Sequence, residues 1–121
     1  MSFLATMHRS FRVAIYGIRH ATSERNVRIH LFIAVFVLTA GVYFELQVWE
    51  WCVVFLAMGL VLSTELLNTA IEQLANVVRD QNQLSRGATK LTRDISAGAV
   101  LIASISSAIV GLLIFIPKIF A

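Results

Sequence analysis

The chain has 121 residues, 58% of them hydrophobic and only 14% charged, with a mean hydropathy of +0.79. An ordinary soluble domain is about 25% charged, so this composition argues against a soluble nucleic-acid binder despite the net charge of +3. The apolar content also excludes a disordered chain, and the length allows one domain. Cys52 is the single cysteine, which leaves no intrachain disulfide and no multi-cysteine metal site. These bounds point to an all-α integral membrane protein forming one domain over residues 1–121.

In chain order, the first element is a helix over about residues 2–22. Leu4, Met7, Phe11, Ala14 or Ile15, and Ile18 recur at helical spacing, with Arg9, Arg12 and Arg19 on the other side. That pattern describes an amphipathic helix lying on a membrane surface, its basic face toward anionic headgroups or a nucleotide. A plain membrane anchor satisfies the same pattern. Arg9 and Arg12 interrupt the apolar run that a signal peptide needs.

Three transmembrane helices are predicted next, over about 29–46, 51–73 and 95–117. Leu31–Phe44 is uncharged, and the span gains length if Arg28 to His30 snorkel at its end. Trp51–Thr64 is uncharged and continues apolar through Glu65 to Ile71. Ile95–Pro117 is uncharged throughout and passes the length of about 20 residues that a bilayer core requires. Ala97, Gly98, Ala99, Ser104, Ser106, Ser107 and Gly111 make this last helix slim and suited to close packing, within one chain or between chains.

Charge placement orients the spans. Arg9, Arg12, Arg19, Arg25 and Arg28 precede the first span, and Arg79, Arg86, Lys90 and Arg93 lie between the second and third. The connection around Glu45 to Glu50 has no basic residue, and only Lys118 follows the third span. The positive-inside rule therefore predicts a cytoplasmic N-terminus and second connection, with the first connection and C-terminus outside. Tyr43, Trp49 and Trp51 fall where an aromatic belt would sit at the outer interface.

The acids carry the chemistry. Glu65, Asn68 and Glu72 stand at i, i+3 and i+7, one face of a helix. A carboxylate inside a bilayer is expensive and marks function, although the same acids could simply end the helix at the interface. Glu24 before the first span, Asp80, and Asp94 beside Arg93 lie on the same side. Convergent carboxylates without cysteines suit Mg²⁺, which takes one or two carboxylates plus phosphate oxygens. His8, His20 and His30 read as interfacial hydrogen-bonding groups before they read as ligands. The six glycines form neither a P-loop nor a dinucleotide fingerprint, so any phosphates must be held by metal-bound carboxylates and arginines. Three short helices leave little interior for several acids, which favours a homo-oligomer with sites between subunits.

Glu65-Leu-Leu-Asn68-Thr-Ala-Ile-Glu72, followed by Arg93-Asp94-Ile-Ser-Ala-Gly-Ala-Val100-Leu-Ile, resembles the bacterial membrane diacylglycerol kinase family. Glu24-Arg25-Asn26-Val-Arg28-Ile-His30, the Glu50-Trp51 pair and Ile114-Phe-Ile-Pro117-Lys118-Ile resemble its Gram-positive branch, which phosphorylates undecaprenol. The likeness spans almost the whole chain. It implies a homotrimer in the bacterial plasma membrane, with ATP as co-substrate, Mg²⁺ as cofactor and a membrane lipid alcohol as acceptor. Position by position it implies Glu65 as general base, Glu24 and Glu72 as ligands of the metal that carries ATP, and Arg93 and Asp94 as nucleotide-binding residues. Asn68, Asn76, Asp80, Arg12 and Arg28 are supporting candidates. Asn76 stands where the family usually has Asp, and Arg93 where it usually has Lys. The connection between them is about three residues longer than in the family, so Asp80 is a candidate for the missing acid's role. The expected activity is undecaprenol phosphorylation; diacylglycerol phosphorylation to phosphatidic acid is the alternative within the family. A non-catalytic or transport oligomer that keeps the fold is the alternative outside it.

Overall fold

The computed structural model describes residues 2–121, which form four α-helices joined by short turns. Helix α1 spans Phe3–Ala21, α2 spans Arg25–Tyr43, α3 spans Val48–Gln81 and α4 spans Lys90–Ile119, with a 3-10 turn at Arg86–Thr89 just before α4. Ser2 starts α1 by accepting a hydrogen bond from the Ala5 amide at 3.2 Å, the usual way a serine satisfies an orphan donor at a helix start. Three helical stretches are long and apolar enough to cross a membrane: α2, α3, and α4 with the turn before it.

Helices α2 and α3 end alike. After α2, the Leu46 amide donates to the Gly41 carbonyl at 3.1 Å and the Glu45 amide to Val42 at 3.2 Å. After α3, Leu84 donates to Arg79 at 2.9 Å and Gln83 to Asp80 at 3.4 Å. Both ends are Schellman motifs, which need a left-handed residue just past the cap. Glu45 and Gln83 fill that position with φ of 54° each, where glycine would carry no steric penalty. The expected span 29–46 thus runs past the end of α2 into this turn. Helix α3, at 34 residues and about 1.5 Å rise per residue, is about 51 Å long. It outruns a hydrocarbon core of about 30 Å and carries its last turns beyond the expected boundary at residue 73.

Helix α3 is the spine. Helix α4 packs antiparallel along much of it, α2 packs on it over a shorter stretch, and α1 meets it as well. The α3–α4 seam is fixed by polar contacts that step up one helix as they step down the other. Lys118 Nζ lies 3.1 Å from Glu50 Oε2, the Ser107 hydroxyl donates to the Ala57 carbonyl at 3.1 Å, and the Ser96 hydroxyl donates to Asn68 Oδ1 at 2.6 Å. In a bilayer, lipid tails compete with apolar contacts, so such hydrogen bonds and close packing hold helices together.

At the Glu50–Lys118 end, Leu46, Val54 and Ile114 are buried together, with Val37, Trp51, Met58 and Phe115 packed around them. The Trp51 ring lies against Gly41 so closely that a β-carbon there would sit 2.6 Å from Trp51 Cη2. Gly98 and Gly111 on α4, by contrast, face open space within the chain. Most large apolar side chains point outward, among them Phe32, Phe36, Leu56, Leu67, Leu101 and Leu113. That surface suits lipid or further copies of the chain, not water.

Candidate active site

Glu65, Asn68, Glu72 and Asn76 form one row along α3, because steps of three and four residues return to the same helix face. Each member of the row meets a different environment. Glu65 is 2% exposed, and its Oε2 lies 3.5 Å from His30 Nε2 on α2. Asn68 is buried and held by Ser96 of α4. Glu72 is half-buried and has no ion-pair partner among the described residues. Asn76 Oδ1 accepts a hydrogen bond from the Arg93 guanidinium of α4.

Arg93 also donates from Nε to the Thr89 hydroxyl at 3.2 Å. Both of its acceptors are neutral, so the guanidinium keeps its full charge and has donors to spare. Asp94 faces away from this row and pairs with Lys90 one turn back, on the exposed side of α4. Asp80 is exposed and pairs with its neighbour Arg79 at 2.9 Å, apart from the Arg93–Asn76 contact. Glu24 is exposed at the position before α2 begins. Arg12 and Arg28 are exposed as well, Arg12 on the basic face of α1 with Arg9, Arg19 and His20.

The row therefore joins Glu65, Asn68, Glu72, Asn76 and Arg93 across two helices. Among the described residues, no three His, Cys, Asp or Glu side chains of one chain come together as a metal site. Glu72 offers an unpaired carboxylate on the row, and Glu24 another at the start of α2. Both carry the hard oxygen donors that Mg²⁺ prefers, an ion seldom caged by protein alone.

Between α2, α3 and α4 opens an apolar cavity of about 260 Å³, lined on α3 as far as Leu62, about one turn before Glu65. His30 stands on its wall, with Val37, Met58, Val61, Gly111 and Phe115 among the other lining residues. Its remaining polar side chains are Ser104 and Ser107, and the Ser107 hydroxyl is already bonded to Ala57. His30, read from the sequence as an interfacial histidine, is brought by the fold to 3.5 Å from Glu65. The signal for it in the sequence was its place in the Glu24–His30 stretch at the start of α2.

Residues 12–115 match the family model described as prokaryotic diacylglycerol kinase. The chain is 42% identical over 98 residues to an undecaprenol kinase of Bacillus subtilis, an alignment covering 81% of this chain and 77% of that protein. It is 38% identical over 109 residues to a diacylglycerol kinase of Synechocystis sp., covering 89% of this chain and 61% of the relative's length. No solved structure matches.

Proposed function

This chain belongs to the prokaryotic diacylglycerol kinase family, and from that premise we propose that it is a membrane lipid kinase acting on undecaprenol. The observation that carries the reading is Glu65: a carboxylate buried on an apolar helix, aligned with Asn68 and Glu72, about one turn past the α3 residues that line an apolar cavity. Buried acids of this kind inside membranes mark function.

Glu65 takes the proton of the lipid hydroxyl as the oxygen attacks the γ-phosphorus of ATP. The new lipid O–P bond forms while the bond from the γ-phosphorus to the β–γ bridging oxygen breaks, and ADP leaves. The work asked of a phosphotransferase is positioning and neutralising phosphoryl charge. Arg93 supplies a cation whose partners within the chain are neutral. Asn68, fixed by Ser96, presents its amide beside the base. Glu72 and Glu24 would hold Mg²⁺, which neutralises the phosphate oxygens of bound ATP. Among the described residues no three such donors of one chain come together, and the proposed site is one completed between copies, in the homotrimer that the resemblance implies. Asp94 would meet the nucleotide after giving up Lys90. The N-terminus and the turn at 82–89 face the cytoplasm and its ATP, with the basic face of α1 on the headgroups, and the C-terminus lies outside.

The 42% identity to an undecaprenol kinase favours an isoprenoid alcohol. So does the cavity, whose few free hydroxyls offer little to the ester carbonyls of a diacylglycerol. The likeness to a diacylglycerol kinase makes that lipid the competing substrate. Transfer of labelled γ-phosphate in mixed micelles, with each lipid offered separately, decides between them. Label mainly on undecaprenol is expected. Label mainly on diacylglycerol would keep the chemistry and change the substrate, and no label on either would remove the kinase reading.

A further inference from the structure

Glu65 can act as a base only if one of its oxygens is aimed at the lipid hydroxyl, and among the described residues the ion-pair contact of its carboxylate is with His30. His30 Nε2 lies 3.5 Å from Glu65 Oε2, with the carboxylate 3% exposed and the imidazole 20% exposed. No lysine or arginine pairs with Glu65 among the described residues. The neighbouring wall of the cavity is apolar, with Ile33 and Ala34 on α2 and Val61 and Leu62 on α3.

We infer that His30 is the positioning residue of the base: its ring N–H engages Oε2 of Glu65 and leaves Oε1 for the alcohol oxygen. The inference rests on the reading of Glu65 as the general base. A base held by a third group is the arrangement that activated nucleophiles share, and such contacts are often loose before substrate arrives. A separation of 3.5 Å is that loose state. The side chain reaches Glu65 from α2, the helix that Glu24 precedes, so one rigid element sets both the aim of the base and the place of Glu24. The imidazole also borders the cavity, whose α3 wall ends about one turn before Glu65.

The test is steady-state kinetics of His30→Leu and His30→Gln beside wild type, as detergent-solubilised oligomers with undecaprenol in mixed micelles. The KM for ATP is measured separately from kcat. His30→Leu is expected to lower kcat by about 10- to 100-fold, the scale seen when a group that orients a functional side chain is removed, with the KM for ATP unchanged. His30→Gln keeps an N–H at similar reach and is expected to recover most of the loss. An unchanged kcat in the leucine variant, a loss confined to the KM for ATP, or a glutamine variant as poor as leucine would each overturn the inference. Should the leucine variant fail to assemble, His30→Ala with and without free imidazole gives the same readout. Turnover restored by imidazole supports the assignment, and turnover unmoved by it overturns the assignment. Wild type that transfers no phosphate would overturn both this inference and the kinase reading. Wild type active, Glu65→Gln inactive and His30→Leu unimpaired would overturn this inference alone.

Discussion

At the scale of single residues, the pair Asn76 and Arg93 shows how two departures from a family pattern belong together. The arginine reaches across from α4 to a neutral acceptor on α3, where an aspartate would form an ion pair. A neutral partner orients the guanidinium without offsetting its charge, which in the proposed reading is the charge that meets phosphate. Asn76→Asp is therefore expected to raise the KM for ATP about tenfold, equivalent to about 1.4 kcal/mol, with the KM for the lipid unchanged. An ATP titration of initial rates checks this, and an unchanged KM would mean that Arg93 does not meet the nucleotide. The contact was not legible in the sequence, because it joins positions 17 apart on different helices. The His30–Glu65 contact escaped for the same reason: periodicity relates residues along one helix and is silent about which helix lies opposite. What periodicity did supply was the row of Glu65, Asn68 and Glu72, since three- and four-residue steps share a face whatever surrounds the helix.

At the scale of elements, run lengths and hydropathy were enough to mark three helices able to cross a membrane, but not to set their ends. Helix α3 carries on eight residues past the expected boundary at 73, because Gln73, Asn76, Arg79 and Asp80 are polar without being helix breakers, and length arithmetic stops where the bilayer does. The turns after α2 and α3 were hidden differently: their left-handed residues are Glu45 and Gln83, not the glycines that announce such a turn. Glycine matters instead at Gly41, where Trp51 occupies the space a side chain would need. Gly41→Ala is expected to push α2 from α3 and lower stability by about 1–3 kcal/mol, the usual cost of overpacking. Thermal unfolding in detergent checks it. A melting temperature equal to wild type would show that the ring swings aside freely.

At the scale of the whole molecule, the proposed site is not complete in one chain. Glu65, Asn68 and Arg93 lie on one row, yet among the described residues no three metal-capable side chains come together. Its apolar residues, from Phe32 on α2 to Leu113 on α4, lie mostly on its outside. A soluble protein of this size would bury a core. This one buries a short cluster at one end and a polar row at the other, and leaves most of its large apolar side chains on the outside. Both features follow from solvation: in hydrocarbon, apolar surface carries no penalty, and the costly group to place is a carboxylate. The account turns on that carboxylate. The most direct measurement is phosphate transfer from ATP to undecaprenol by Glu65→Gln, alongside its oligomeric state and its binding of ATP with Mg²⁺. The account requires an assembled, nucleotide-binding protein whose turnover has fallen by about 10²- to 10⁴-fold, the contribution of a positioned general base. An assembled Glu65→Gln protein with wild-type turnover would contradict it.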